Sequence, residues 1–330
     1  MAIAASEAAR HQGAPEGQGD DQAVLGKTPW QLFWGRFKQD KIAFVGLGII
    51  VLLAALAIFA PLIADFTGHD PNDTGFQREM TDSFGLPKGP DFEKRFYFGA
   101  DKLGRDVFVR TIYGARTSLE VALLATGFAM TVGVVLGIMA GYFGGGIDVL
   151  ISRAIDIVLS MPLLLFALGI VGACSASKTG CLNGIVQPGQ GLVIFVIALF
   201  SWPTIARIVR GNTLSLREKE FVEASRSLGA SNGQIMFREI LPNLVAPILV
   251  YTTLIIPNNV IFEASLSFLG LGIPQSVPSW GRMLNDAADL FEVAWWLMVF
   301  PGLFLFLTTL AFNLVGDGLR DALDPRTGRG

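Results

Sequence analysis

A single carboxylate interrupts a long uncharged run in the last third of this sequence. Glu263 follows "LIIPNNVIF" and precedes "ASLSFLGLGIPQSVPSWG". An ionisable group in such surroundings fits one of two roles. It can line a solute path, or it can hydrogen-bond backbone freed at the helix break that Pro257 imposes. The remaining chemistry-bearing residues are sparse. Cys174 and Cys181 are the only cysteines; outside the cytoplasm such a pair can form a lasting disulfide, and inside it would be two thiols that never meet. A bridge closing so short a loop would contribute roughly 2–3 kcal/mol on the entropy model. His11 and His69 are far apart and no Cys/His cluster exists, which excludes a structural zinc site. There is no G-x-x-x-x-G-K-[ST] phosphate loop, no H-E-x-x-H and no G-x-S-x-G. The reading is therefore of a chain that is not an enzyme, with no catalytic residue, no metal ligand and no cofactor of its own.

The elements that must position these residues follow from composition. Of 330 residues, 52% are apolar and only 16% charged, against roughly 25% charged in a soluble domain. One soluble core of this length could not hide so much apolar surface, so lipid is the expected solvent. A net charge of −3 argues neither for a nucleic-acid partner nor for an acidic ligand, and no nucleic acid is expected. About 20 apolar residues cross a bilayer core, and the uncharged stretches predict six spans: Ile42–Ala64, Val121–Ile147, Ile157–Ser177, Thr179–Ala206, Ile240–Phe262 and Val293–Gly316. Ala264–Gly281 is uncharged too, but ends in Pro274, Ser276, Pro278 and Ser279; it reads as a half-buried or re-entrant segment on the outer side. Lys and Arg concentrate in the segments that share a side with both termini, including six between Arg207 and Arg238, whereas the short loops opposite hold only Lys178 and Arg282. Both termini are thus expected in the cytoplasm, and the loop holding the two cysteines outside it.

The division expected along the chain is a disordered tail at 1–28, an interfacial amphipathic helix at 29–41, a first span at 42–64, an extracytoplasmic segment at 65–118, a transmembrane core at 119–316 and a cytoplasmic tail at 317–330. In "TPWQLFWGRFKQDK" Thr28 and Gln31 form a capping box with Pro29 at the first helical position. Trp30, Phe33, Trp34 and Phe37 share one face, which suits a helix in the membrane interface or an aromatic belt beside a span. Gly133, Gly137 and Gly141 recur every fourth residue, so a partner helix can approach closely there.

The most polar stretch of the second half is "EFVEASRSLGASNGQIMFREILPN", Glu220–Asn243. Phe221, Ala224, Ser225 and Leu228 have helical spacing, Gly229 fits the left-handed position that ends a helix, and Ser231 with Gln234 caps a second helix. Pro242 either stops that helix or bends it into the fifth span. A DNA-reading pair is excluded, because the unit is tied to the membrane at both ends and has no core of its own. A short helix pair on the cytoplasmic face of a bundle without an energy source suggests a socket for a motor. Glu223 can pair with a cation on such a partner or with Arg226 in its own helix, the latter worth only a few tenths of a kcal/mol.

The segment "EASRSLGASNGQIMFREILPN" resembles the EAA loop of the permease subunits of ABC importers, with Glu223, Ala224, Gly229, Leu241 and Pro242 at the family's positions; Ser225 stands where a second Ala is common. "FGADKLGRDVFVRTIYGARTSL" (Phe98–Leu119), "EASLSFLGLGIP" (Glu263–Pro274) and "NLVGDGLRDALDPR" (Asn313–Arg326) resemble the dipeptide/oligopeptide branch of that family. The resemblance implies an all-α membrane protein of the type I ABC importer permease fold, six transmembrane helices with a cytoplasmic coupling helix pair at 211–243, in a bacterial inner membrane. It implies a homologous permease as partner, two ATPase subunits that hold ATP and Mg, and an extracytoplasmic binding protein that delivers peptide. The EAA residues Phe221, Glu223, Ala224, Ser225, Leu228, Gly229, Leu241 and Pro242 would then contact the ATPase. The branch also includes carriers of nickel, glutathione or oligosaccharides. A secondary transporter would need intramembrane coupling residues or inverted repeats, which the sequence does not offer; a membrane scaffold without a transport role is the other rival.

Overall fold

The computed structural model describes residues 29–176, 181 and 187–323. The expected tail at 1–28, the capping role of Thr28 and the last part of the C-terminal tail, 324–330, lie outside them. Among the described residues the architecture is helical, with isolated β-bridges such as Thr81–Pro87, Asp91–Phe96 and Ala100–Asp106.

Asp40 starts the first long helix. Its carboxylate accepts the amides of Ile42 and Ala43 at 3.0 and 3.1 Å, satisfying two of the donors that every helix N-terminus leaves open. The short α1 (Pro29–Phe37) precedes it and α2 (Lys41–Ile58) follows. Phe37 is buried with Ala43, Val315 and Ala322, so α1 is held by the C-terminal end of the last helix, α13 (Trp296–Leu323). The expected span Ile42–Ala64 breaks at Phe59, where Pro61 opens a separate α3 (Ala60–Thr67). Proline suits a first helical turn and cannot continue a preceding one.

After the small α4 (Gln77–Met80), α5 (Val107–Phe143) is the longest element. It begins well before the expected boundary at residue 118, because Asp106 caps it and its first charged residue, Arg110, is buried and paired rather than solvated. It ends before Gly144 and Gly145, both at positive φ, so Ile147 belongs to the next helix. The expected span Ile157–Ser177 is two helices, α6 (Gly145–Ser160) and α7 (Leu163–Ala176), bent by 86°. Pro162 causes the bend: it removes an amide donor and holds Met161 in extended backbone, ψ 135°.

The remaining long helices are α8 (Gln190–Leu216), α11 (Leu241–Phe268) and α13. α8 begins later than the expected span Thr179–Ala206 and runs past it. α13 extends to Leu323, so the expected C-terminal tail at 317–330 begins as helix. Among the described residues five helices are long and apolar enough to cross a bilayer, and the bent α6–α7 pair can make a sixth crossing. Ala264–Gly281 is no seventh span. Its first residues finish α11, the chain turns at Gly270 (φ 83°), and α12 (Trp280–Ala287) starts on a Ser279 cap.

The glycine stripe decides which helices form the centre. A Cβ on Gly133, Gly137 or Gly141 would sit 2.7, 2.7 and 2.6 Å from the side chains of Ile205, Val209 and Thr213. Small residues there let α5 and α8 meet backbone to backbone, so the close partner of this stripe lies within the same chain. Two ion pairs join α6 to α8: Arg207 with Asp156 at 2.8 Å, and a two-pronged pair of Arg210 with Asp148.

Candidate functional site: a helix pair at one end of the bundle and a buried carboxylate at the other

At the end where α5 and α8 finish, α9 (Glu220–Ser227) and α10 (Asn232–Gln234) form the expected pair. α9 has one apolar anchor. Val222 is fully buried against Ile235, Met236 and Ile240, a residue that the apolar spacing had not singled out. The other face is open. Phe221 is 37% and Leu228 89% exposed, and Glu223 and Ala224 are exposed beside them. Arg226 lies over the Tyr142 ring, 6.0 Å from its centre, so the internal pair with Glu223 is not formed. Gly229 has φ +83°, a conformation that costs glycine nothing and strains a residue with a Cβ. Ser231 accepts the amide of Gln234 at 3.3 Å, and the Tyr142 hydroxyl donates to Asn232 at 2.9 Å. The pair therefore rests on the end of α5.

Pro242 neither stops the second helix nor bends it sharply. Residues Ile235–Ile240 form a π-helical turn that runs directly into α11. The wider turn accommodates a proline that lacks the amide a regular turn would use, and the Asn243 side chain donates to the Glu239 carbonyl at 2.7 Å. Leu241 and Pro242 thus belong to the first turn of α11 rather than to the exposed ridge.

At the opposite end, Glu263 is fully buried. Neither reading of it from sequence describes its partners. Ser118 and Ser267 donate to its two oxygens at 2.8 and 2.7 Å, and Ser279 bonds the same carboxyl. Each serine oxygen in turn accepts a backbone amide: Trp280 on Ser118, Ile273 on Ser267 and Arg282 on Ser279. The carboxyl thus fastens α5, α11, the turn after α11 and the start of α12. It touches no open path.

The "GADKLGRD" stretch is built the same way. Asp106 accepts the amides of Phe108 and Val109 and lies 2.7 Å from His69. Burial pushes its carboxyl above the usual range, and the bond from His69 opposes that shift. Arg105 pairs with Asp101 at 2.6 Å and approaches Asp286 at 3.5 Å; Arg110 donates to the Pro71 carbonyl at 2.7 Å. These charges are internal, so they hold the extramembrane segment onto α5 and α12. Cys174 and Cys181 are disulfide-bonded, with Cα atoms 4.9 Å apart, and Cys174 packs beside Ala167 and Leu192. Among the described residues no group of His, Cys, Asp and Glu could hold a metal ion.

Long apolar helices joined in one bundle, with a polar helix pair exposed at one end, define a multi-pass membrane protein. Comparison with known proteins narrows the class. A family model described as "Binding-protein-dependent transport system inner membrane component" matches residues 133–329, and one described as "N-terminal TM domain of oligopeptide transport permease C" matches residues 28–81. The chain is 40% identical over 299 residues to the dipeptide transport system permease protein DppC of Alkalihalophilus pseudofirmus, covering 91% of this chain and 90% of that protein. It is 41% identical over 300 residues to the glutathione transport system permease protein GsiD of Escherichia coli O157:H7, covering 91% of each. Among solved structures, a chain of the MetNI methionine ABC transporter in an inward-facing conformation shares the fold, with a TM-score of 0.52 at 19% identity over 64% of this chain and 94% of that one. The chain belongs to the family of inner membrane components of binding-protein-dependent transport systems.

Proposed function

We propose that the chain is the transmembrane subunit of an ATP-driven importer of small peptides. With a homologous permease it forms the path, an extracytoplasmic binding protein delivers the solute, and two ATPase subunits supply ATP and Mg. The exposed ridge of α9 carries this reading. A helix anchored by Val222 alone presents Phe221, Glu223, Ala224 and Leu228 outward, and exposed apolar residues in a group call for a partner surface. Ser225 and Gly229 complete the docking unit, and the Lys/Arg balance supports a cytoplasmic position for it and for both termini. The relatives transport dipeptide and glutathione, which favours short peptides, glutathione included, over nickel or oligosaccharide.

Purification of the complex tests the proposal. Phe221→Asp should leave the two permeases paired and remove the ATPase subunits, or retain them without solute-stimulated ATP hydrolysis, because a charge would enter a dry groove. Full ATPase occupancy with normal uptake in that variant would refute the docking role. Uptake that persists without any ATPase would refute the importer.

A further inference from the structure

Three helices of the bundle carry a proline within them or at their start beside one concavity. α7 begins after Pro162, α8 contains Pro203 and α11 contains Pro257. The space between them is about 440 Å³ and is lined by Leu163, Ser201, Thr204, Asn258, Asn259 and Ser265, among apolar neighbours. Asn258 lies ten residues before the end of α11, about 15 Å along it. Ser201 lies eleven residues after the start of α8, about 16 Å along it. Both therefore sit near the middle of a hydrocarbon core about 30 Å thick.

Asn258 and Thr204 are exposed at that depth. An amide facing lipid there would lose hydrogen bonds that nothing replaces. Asn258 satisfies one donor on the Leu254 carbonyl at 2.9 Å and leaves its other polar capacity free toward the concavity. Behind it, Ser201 donates to Asn259 at 2.8 Å and Asn259 donates to Thr126 at 2.8 Å, so the wall is fixed. Among the described residues no charged side chain lines the space. The nearest on these helices are otherwise engaged: Arg207 with Asp156, and Glu263 with its serines.

We propose that this concavity is the solute-passing subsite of the chain, and that it handles peptides through uncharged hydrogen bonds to their amide groups rather than through their terminal or side-chain charges. The proposal rests on the importer reading. A neutral wall passes peptides of either sign, so selection by charge falls to another component.

The test uses the whole complex reconstituted in proteoliposomes, with cysteines of the other subunits replaced. ATP-dependent uptake by the unaltered chain comes first; its absence would refute the importer reading and not the subsite. Asn258→Asp and Thr204→Asp should each raise uptake of lysyl-lysine over aspartyl-aspartate by about tenfold relative to the unaltered complex, the effect of one charge a few ångströms from the solute. Dialanine, which carries no side-chain charge, should fall between the two. Asn258→Cys should react with a charged, membrane-impermeant thiosulfonate, and peptide should slow that reaction. An unchanged lysyl-lysine to aspartyl-aspartate ratio with dialanine uptake intact would overturn the proposal. So would an Asn258→Cys thiol that reacts only with lipid-soluble maleimide, or one that cross-links to the partner permease and excludes the charged reagent. Should the aspartate variants fail to assemble, the cysteine result decides.

Discussion

Replacing Glu263 separates a fastening role from a transport role. Three serine hydroxyls converge on its carboxyl, and each serine oxygen already accepts a backbone amide. The three O–H groups therefore have one place to donate. Glu263→Leu fills most of the volume but removes every acceptor, leaving three buried donors at about 1–3 kcal/mol each. A loss of roughly 3–9 kcal/mol is large beside a total stability of about 5–15 kcal/mol. Glu263→Gln keeps one oxygen and presents an NH₂ group to the remaining serine oxygen, so one hydroxyl must turn away, for about 1–2 kcal/mol. At about 2–4 °C per kcal/mol for a chain of moderate size, the purified complex should melt at least about 6 °C lower with Leu and a few degrees lower with Gln. Thermal unfolding followed by tryptophan fluorescence measures both, and Trp280 reports locally because its amide lies on Ser118 and its indole donates to the Thr111 carbonyl at 3.0 Å. Equal melting of Leu and Gln variants would refute the fastening argument. A Gln variant of normal stability that no longer transports would assign the carboxyl to the solute path instead.

Gly229→Val forces a β-branched residue to φ near +83°, so the α9–α10 pair should lose its geometry while the spans stay inserted; ATPase co-purification falling with unchanged membrane levels checks this. Gly137→Leu drives a side chain into Val209 and the Ala206 carbonyl, and should prevent the protein accumulating in the membrane, whereas Gly211→Leu, facing open space, should not. Asp101→Ala leaves Arg105 and Arg110 buried without their nearest carboxylate and should lower stability by about 3–5 kcal/mol, read as a lower melting temperature. Replacing Cys174 and Cys181 with Ser should lower the melting temperature by a few degrees, corresponding to roughly 2–3 kcal/mol, and leave ATPase co-purification intact.

The parts legible in sequence are those fixed by local rules. Gly229 takes the left-handed turn expected of it, and the glycine stripe marks a close helix contact. The helix boundaries were less legible, for a physical reason. Counting uncharged residues treats every charge as a loop, yet Arg110 sits inside α5 because the Pro71 carbonyl and Asp101 receive it. Apolar counting likewise passes over Pro162, which divides one expected span into two helices. The setting of Glu263 could not be read at all. Ser118 lies 145 residues away, and nothing in a serine's neighbours says which carboxylate it will meet. In α9, helical spacing pointed to Phe221, Ala224 and Leu228, which are exposed, while the buried anchor is Val222; on a helix this short, the period alone does not say which stripe faces inward.

One continuous element connects these features. From Asn232 to Phe268 the chain is helical without a loop, about 55 Å of rod, and along it lie the second helix of the α9–α10 pair, the π-turn before Pro242, Asn258 beside the concavity, and Glu263 in its serine cage. The two ends are held very differently. Glu263 is sealed among Ser118 of α5, Ser267 of its own helix and Ser279 before α12, whereas α9 reaches the rod through Gly229 and has one buried anchor, Val222. A displacement imposed on α9 therefore meets little resistance at the docking end and strong resistance at Glu263. The compliant places between them are the π-turn, whose hydrogen bonds are already wide of the regular pattern, and Pro257, where the ladder lacks a donor. Both lie on the docking side of the Glu263 cage, and Asn258 is adjacent to the second. In an importer built on this chain, closure of the ATPases would thus be taken up as a bend next to Asn258, with the end of the helix beyond Glu263 acting as the fixed point.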